Sequence, residues 1–491
     1  MDNVSDFYNN FNKNDQKIII NYFNNLKDIK YSKKDKIQVI NDFMKYILFC
    51  YDMKMKVSNI LKLIPIEVFK KDESKWYSLD TSSKIYPLSM NEEWMSVFRL
   101  SLYLNDDINE IVLQMALNYT IRRFPLFSTS IHKGFFWNYL DYQNIRIKVY
   151  KEDNIPCSRL NISKVNKSAF RVIYYKNRIS CEYFHLICDA HGGMIFLTSL
   201  VNEYLRLLGK KVNYNEYAWN TLLKSSNFEN EDAFLKTSID KNIKKISLID
   251  KRTLQIDGRL SSIKPCQVIH FDIDLDKIHV IAHKKNVTIN QLILSYLFMV
   301  IGICTSKNGN IKIQVPVDMR KYYKINTIRN FSLYNTISIN KKNLNNIDNI
   351  LKEVRQQSNE KLSKEVMDGV MLNAKNLVHY LSFIPLFIKK PLANFIFKYF
   401  SDKSSTIVVS NLGNIILPNS MKSSVTSGDF VLGTNLSNRV LVSIITINKV
   451  LTLSISKFTT NKSFENNLYN LLKKENLIIN IKGSEEYEYR K

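Results

Sequence analysis

The chain has 491 residues, of which 45% are hydrophobic and 12% aromatic, so it can fill the core of a large globular protein. Its formal net charge of +25 would suit nucleic acid, but the basic residues are spread along the whole chain instead of forming one basic, aromatic-interleaved patch. We therefore exclude nucleic acid as a partner and expect an acidic or phosphorylated one.

The cysteines and the N-terminus indicate a cytoplasmic protein. The six cysteines lie far apart without paired spacing, which argues against a zinc ribbon and a disulfide framework. The first residues are acidic and polar, and no apolar segment of a secretory signal follows them.

Residues 1–70 are predicted to form a helical N-terminal appendage. They contain no glycine, and apolar residues recur at helical spacing, as in Ile18, Ile19, Tyr22 and Phe23. The segment lacks a Gly-x-Asp-Ser-Leu site for phosphopantetheine, so we do not expect it to be a carrier domain.

Residues 71–250 alternate helix and strand signals and are predicted to form a first α/β lobe. Residues 113–122 have a helical pattern, whereas 135–142 and 145–150 have extended patterns. Residues 170–183 are predicted to form a hairpin that turns at 176–178. From Met194 the apolar spacing is helical until Gly209, a helix C-terminal signal.

A polar segment, 251–265, is predicted to link this lobe to a second lobe at 266–491. In the second lobe we expect strands at 267–271 and 311–320 and a helix capped by Thr288. The β-rich run 406–418 is interrupted at 410–413, which indicates either a bulge with close backbone approach or an ordinary tight turn.

Two apolar stretches resemble membrane spans, but neither is predicted to be one. Residues 292–304 are shorter than the ~20 that a bilayer requires. Residues 381–400 contain Lys389, Lys390 and Pro391 in the middle, which predicts helix, turn, helix at a protein surface. We expect no transmembrane segment.

The run 184–193 contains the strongest candidate for chemistry. A β-patterned stretch places His185 at a strand-to-helix junction, where an imidazole could take a proton from a hydroxyl or an amine. Two other interpretations are a purely structural histidine and a metal site formed by His185, Asp189 and His191. No second cluster in the chain supports a metal, so we predict none.

Several short motifs suggest a family. His185 and Asp189 form a His-x-x-x-Asp motif that resembles the signature of the chloramphenicol acetyltransferase-like superfamily. Other segments resemble the motif series of bacterial alcohol acetyltransferase-like and condensation-domain-like proteins over about residues 75 to 475. They are 76–80 (WYSLD), 85–87 (IYP), 97–100 (VFRL), 123–125 (RFP), 134–137 (GFFW), 316–320 (PVDMR), 329–331 (RNF) and 410–413 (SNLG).

This resemblance implies an α/β fold of two chloramphenicol-acetyltransferase-like lobes, each a mixed sheet with flanking helices, forming a pseudo-dimer around a central tunnel. His185 would act as the general base. Asp189 would point away from the acceptor and pair with Arg320 of the second lobe, in a pair that can be bidentate. Ser410 and Asn411 would line the tunnel and could stabilise an oxyanion.

The implied activity is acyl transfer from acyl-CoA to a small alcohol or amine acceptor, with no permanently bound cofactor. One alternative is a condensation-type enzyme that takes the acyl group from phosphopantetheine on an acyl carrier protein. Another is a catalytically silent relative with a binding or assembly role.

The family's glycine after the aspartate is Ala190 here, which would be strained if that position needed positive φ. For His191 we expect a supporting or surface position.

Overall fold

The computed structural model describes residues 4–26, 29, 31–69, 76–90, 95–162, 168–240, 243, 253–396, 404–433 and 438–483. Within these ranges the helices are α1 (Val4–Tyr8), α2 (Lys13–Leu26), α3 (Lys33–Asp52), α4 (Val57–Leu63), α5 (Tyr86–Ser89), α6 (Glu110–Arg123), α7 (Ala190–Leu207), α8 (Ala233–Lys236), α9 (Leu275–Lys284), α10 (Ile289–Ile303), α11 (Ile347–Lys361), α12 (Lys364–Leu381), α13 (Leu386–Ile396), α14 (Asn419–Lys422) and α15 (Ser463–Lys474). The strands are β1 (Trp76–Ser78), β2 (Val97–Leu104), β3 (Thr129–Lys133), β4 (Asn138–Tyr142), β5 (Val149–Lys151), β6 (Phe170–Tyr175), β7 (Arg178–Phe184), β8 (Gln267–Asp274), β9 (Asn310–Asp318), β10 (Ser332–Asn340), β11 (Ile407–Asn414), β12 (Val425–Leu432), β13 (Val440–Ile447), β14 (Val450–Lys457) and β15 (Ile479–Lys482).

The first lobe is built on a five-stranded sheet with strand order β12-β2-β7-β6-β5. Strands β6 and β7 form the predicted hairpin, and Lys176 at its turn has a φ of 48°. Helices α6 and α7 pack against each other, and α7 also contacts β2 and β7. A small separate sheet, ordered β1-β4-β3, lies beside this lobe.

The N-terminal helices α1 to α4 share one hydrophobic core with the first lobe. The Tyr46 hydroxyl on α3 donates to the carbonyl of Leu207 on α7 at 2.7 Å, and the Tyr119 hydroxyl on α6 donates to the carbonyl of Pro65 at 3.0 Å. Nε of Arg146 also donates to Oδ2 of Asp42 on α3 at 2.6 Å. The appendage is thus helical, as predicted, and covers α6 and α7.

The second lobe has a seven-stranded sheet ordered β10-β9-β11-β13-β14-β8-β15. It is mixed, because β11 runs parallel to β9 and β13 while the other neighbours are antiparallel. Every residue of the central strand β13 is buried, as expected for a strand covered on both faces. Helix α10 begins after Thr288, whose side chain forms a reciprocal capping box with Gln291.

Strand β12 joins the two lobes. It follows β11 in the chain, yet it pairs antiparallel with β2 of the first sheet. Gly428 permits this approach, because a Cβ there would lie 2.7 Å from the carbonyl oxygen of Ser101 on β2. One strand of the sequence segment assigned to the second lobe therefore completes the sheet of the first; the domain boundaries themselves stay predictions.

The apolar stretch 381–400 differs from its predicted form as far as the structure describes it, to residue 396. The turn lies between α12 and α13, at 382–385, and Lys389, Lys390 and Pro391 are inside α13. Pro385 explains the earlier turn, because proline disfavours helical conformation of the residue before it. Within the described ranges no single helix could cross a bilayer by length and composition; only α9 and α10 together could, and they meet at a bend of 82°.

Candidate active site

His185 follows the last residue of β7, at the end of a strand in the middle of the first sheet. Its backbone amide donates to the carbonyl of Ser96 at 2.8 Å, just before β2, so the chain leaves the sheet in a fixed direction. The residues on both sides of His185 are buried, whereas His185 itself is only partly buried. Within residues 181–189, His185 is thus the one residue whose side chain is not fully buried.

Two aromatic rings hold the imidazole in place. Tyr86, the first residue of α5, stacks on it with ring centres 4.8 Å apart and planes 24° apart. Phe98 on β2 meets it edge-on, with ring centres 5.3 Å apart. These ring contacts fix the position of the imidazole but do not distinguish its two nitrogens. Which nitrogen carries the proton therefore depends on the hydrogen bonds of His185.

The Nδ1 atom of His185 lies 2.9 Å from Oδ1 of Asn330. The other end of the Asn330 carboxamide, Nδ2, donates to Oγ of Ser83 at 2.8 Å and to Oδ2 of Asp80 at 3.3 Å. An ionised carboxylate can only accept hydrogen bonds, so the amide nitrogen must face Asp80 and the amide oxygen must face His185. The neutral imidazole then carries its proton on Nδ1, which leaves the lone pair on Nε2.

The surroundings also favour the neutral form of His185. Burial lowers the pKa of His185 below its ordinary value, although Asp189 and the hydrogen bond to Asn330 act in the opposite direction. At neutral pH the imidazole is thus unprotonated at Nε2 and can accept a proton.

Asp189 has a different position from His185 and uses its two carboxylate oxygens separately. Oδ1 caps helix α7 by accepting from the amide of Gly192 at 3.0 Å. Oδ2 accepts from Nη1 of Arg320 at 2.8 Å and from the amide of Phe331 at 2.8 Å. The contact with Arg320 is not bidentate, because the second oxygen is taken by the helix cap.

Arg320 connects Asp189 to the segment that carries Asn330. Its Nη2 atom donates to the carbonyl of Arg329 at 2.6 Å and to that of Thr327 at 2.9 Å. Burial raises the pKa of Asp189, but Arg320, His191 and the amide of Phe331 together bring this pKa below its usual range. The ion pair thus links the first lobe to residues 327–331 of the second, which hold the imidazole.

Ala190 and His191 begin helix α7. Ala190 is not among the residues with positive φ, so the strain considered for this position is absent. His191 Nδ1 lies 3.5 Å from Oδ2 of Asp318, and Oδ1 of the same carboxylate accepts from Nη1 of Arg320 at 2.9 Å. Thus His185, Asp189 and His191 face different partners, and no group of three His, Cys, Asp or Glu side chains within the described ranges is arranged to hold a metal ion.

Ser410 and Asn411 lie on β11, where the register with β13 shifts between Asn411 and Asn414. Gly413 has a φ of +75°, so the interruption is a bulge-like irregularity within one strand. The Nδ2 atom of Asn411 donates to Oδ1 of Asn290 at 3.1 Å, and its Oδ1 accepts from the amide of Gly413. Both ends of the Asn411 side-chain carboxamide are thus already hydrogen-bonded, to Asn290 and to Gly413.

Several residues of this site have no role assigned to them from the sequence alone. Asp80, Tyr86 and Asn330 were noted only as parts of motifs 76–80, 85–87 and 329–331, yet they surround or orient His185. The signal for them is the motif series itself, whose separate segments converge at the imidazole.

Comparison with known proteins finds similarity of structure. No family model matches this chain, and no curated protein matches its sequence. The trichothecene 15-O-acetyltransferase TRI3 from Fusarium sporotrichioides superposes with a TM-score of 0.54 at 11% identity, over 81% of this chain and 94% of TRI3. TRI101 from F. sporotrichioides, solved with coenzyme A and T-2, gives 0.54 at 10% identity, over 81% and 97%.

The epimerization domain from the third module of tyrocidine synthetase B gives a TM-score of 0.51 at 12% identity, over 82% of this chain and 95% of that domain. This chain has the two-lobed fold of these proteins. The predicted α/β fold, with two sheet-rich lobes and flanking helices, is thereby confirmed.

Proposed function

We propose that this chain is an acyltransferase in which His185 is the general base. The observation that carries the proposal is the chain of contacts from Asp80 through Asn330 to His185, which leaves a lone pair on Nε2. The lowered pKa of His185, caused by burial, keeps that nitrogen unprotonated at neutral pH. The fold shared with two acetyltransferases supports the same reaction class.

In the proposed reaction, Nε2 of His185 takes the proton of an alcohol or amine acceptor while the acceptor attacks the carbonyl carbon of an acyl thioester. The tetrahedral oxyanion then collapses, the carbon–sulfur bond breaks, and the thiolate leaves with the proton returned by the imidazolium. No acyl-enzyme is formed, since the base acts on the acceptor directly. His185 thus begins and ends the cycle neutral.

Asp189 and Arg320 are proposed as positioning residues. Their pair holds residues 327–331 against the start of α7, and Asn330 in that segment orients the base. Ser410 remains our candidate donor to the oxyanion in a tunnel between the lobes. Asn411 could serve there only by giving up its bond to Asn290.

The proposed donor is acyl-CoA, and the protein would bind no permanent cofactor. TRI101 was solved with coenzyme A, and the net charge of +25 suits a phosphorylated donor. We propose a cytoplasmic location because all six cysteines are buried and none of these six forms a disulfide.

A carrier-protein donor is the second candidate, because the same fold occurs in the epimerization domain of a synthetase. The two donors are separated by assaying the same acyl group on coenzyme A and on an acyl carrier protein. Turnover with the carrier and none with coenzyme A would establish the condensation-type alternative. Turnover with neither donor would favour a catalytically silent binding protein.

A thiol-release assay with short acyl-CoA donors and a panel of alcohols and amines tests the base. Replacing His185 with Ala should lower kcat by about 100- to 10,000-fold, the usual contribution of a general base. His279→Ala, on the exposed face of α9, is the matched control and should keep the wild-type rate. Retention of activity in His185→Ala, with a normal melting temperature, would refute the assignment.

A further inference from the structure

A large apolar surface lies on the helix pair α12 and α13 and on the neighbouring hairpin tip between β3 and β4. We call it the aromatic patch. It is formed by Phe135 (67% exposed), Phe136 (42%), Tyr380 (70%), Phe383 (71%), Phe387 (71%) and Ile388 (49%). Contiguous exposed apolar surfaces of this kind mark sites of interaction with a protein or a membrane.

The patch is a built surface, because the hairpin tip and the helices are bonded to each other. The amide of Leu386 donates to the carbonyl of Phe135 at 2.9 Å, and Nε1 of Trp137 donates to Oγ of Ser382 at 3.2 Å. Lys389 is buried, with Nζ 3.3 Å from the centre of the Trp137 ring, and donates to the carbonyl of Leu381. The exposed rings are therefore held on one rigid support.

Lysines, and no acidic residues, occur in the two segments that carry the patch. Segments 129–140 and 369–396, which carry all six side chains, contain no Asp or Glu, although acids make up 45 of the 491 residues of the chain. The same segments contain Lys133, Lys375, Lys389 and Lys390, and Lys133 and Lys390 are exposed. A partner that covers the patch must tolerate apolar rings and offer negative charge.

We propose that the aromatic patch docks the protein on the surface of an anionic lipid bilayer. Such a surface needs only the two features present here: apolar side chains that enter the boundary of the acyl chains, and lysines that meet lipid phosphates. An acidic protein partner would also be attracted by the lysines. A bilayer fits the patch better than such a protein does, because the most exposed side chains of the patch are aromatic rings on two separate elements.

The patch is close to the candidate active site along the fold. Helix α13 packs against α5, and Tyr86 of α5 stacks on the imidazole of His185. Docking by this face would therefore bring the surroundings of His185 to the membrane. Where the proposed function holds, acceptors or donors with lipid-like chains are the substrate class that this position favours.

Vesicle flotation with the full chain tests the proposal. The protein should float with vesicles of phosphatidylcholine and phosphatidylglycerol, and remain at the bottom with phosphatidylcholine alone or at high salt. The double variant Phe383→Ser, Phe387→Ser should bind at least about tenfold more weakly, because it removes two of the most exposed rings that would enter the acyl-chain boundary. Lys390→Glu should also weaken binding to the anionic vesicles, because it replaces an exposed positive charge beside the patch with a negative one.

Ile478→Ser is the matched control, since Ile478 is 75% exposed but lies just before β15, at the far edge of the second sheet. It should float like the wild type. Absence of flotation, equal binding to phosphatidylcholine alone, or wild-type binding by the double Phe variant would each overturn the proposal. So would a wild-type dimer in light scattering that the double variant dissociates, because a second copy would then cover the patch. Flotation needs no turnover, so its failure is distinct from failure of the acyltransferase assignment.

Discussion

Oδ1 of Asn330 accepts a hydrogen bond from Nδ1 of His185 across 2.9 Å, and Asp80 fixes the orientation of that amide from its other end. Two residues of the first lobe are thus connected by one residue of the second. The contact selects the tautomer in which Nε2 is the base, so the lobes must be assembled before His185 is competent.

Replacing Asn330 with Ala should lower kcat by about 10- to 100-fold, because the imidazole loses its orientation and its tautomer preference. The hydrogen bond to Asn330 raises the pKa of His185 against the effect of burial, so its loss should lower that pKa further. The acid limb of the kcat profile should therefore move to lower pH. A reduced rate with an unmoved acid limb would indicate a role in packing alone.

Replacing Arg320 with Ala should destabilise the protein by about 3–5 kcal/mol, because it leaves the buried carboxylate of Asp189 without its cation. Arg320→Lys keeps the charge, but its single ammonium nitrogen replaces separate guanidinium nitrogens that reach Asp189 and the two carbonyls, so it should recover only part of the loss. Urea unfolding at pH 7 measures both. A wild-type free energy of unfolding for Arg320→Ala would show that the pair does not stabilise the fold.

Exchange between glycine and alanine should affect catalysis at position 192 but not at position 190. A Cβ on Gly192 would lie 1.9 Å from the carbonyl oxygen of Ile328, so Gly192→Ala must displace the segment that carries Asn330. We expect it to lower both the melting temperature and kcat. Ala190→Gly should leave kcat unchanged and cost at most about 1 kcal/mol, as glycine does in a helix. Rescue of activity by Ala190→Gly would instead show that Ala190 impairs the enzyme.

Glu182 should make stability depend on pH. Its carboxylate is fully buried in the first sheet and accepts from Nε of Arg99 at 2.8 Å, from Nε of Arg171 at 2.6 Å and from the amide of Cys157 at 2.6 Å. Burial raises the pKa of Glu182, but the two guanidinium groups and the amide of Cys157 together leave the pKa below its ordinary value.

A carboxyl group whose folded-state pKa is depressed stabilises the fold above its unfolded pKa, about 4.3, and loses that contribution as the pH falls through the folded value. Glu182→Gln should therefore cost about 3–5 kcal/mol at pH 7. The difference between the two proteins should stay constant down to about pH 5 and shrink below about pH 4. Urea unfolding across this range checks it, and a difference that grows on acidification would contradict the sign.

Elements with strong local signals were predictable from the sequence. The hairpin of β6 and β7, the helix ending before Gly209 and the cap at Thr288 all depend on neighbouring residues, and the structure has each of them. The turn after α12 was placed too late, because it was assigned from Lys389, Lys390 and Pro391, which lie inside α13. Local patterns do not reveal which of two prolines a helix tolerates.

Contacts between distant segments were out of reach of such patterns. Asn330 belongs to a short polar motif whose spacing gives no indication that it contacts an imidazole 145 positions earlier. The paired roles of Asp189 and Arg320 came from the family resemblance. The geometry adds that Oδ1 of Asp189 caps helix α7, so only Oδ2 contacts Arg320 and the ion pair is monodentate. For Ser410 and Asn411 the sequence indicates the irregular strand but not which groups are already bonded.

Strand β12 also determines when the sheet of the first lobe can be completed during synthesis of the chain. As the ribosome extends the protein, β2 has an open hydrogen-bonding edge until residues 425–432 have emerged, after most of the second lobe. An exposed edge strand is a template for pairing with another chain. We therefore expect fragments that stop before β12 to aggregate, and expression of the first lobe alone to yield soluble protein only if β12 is supplied as a separate peptide or fused to it.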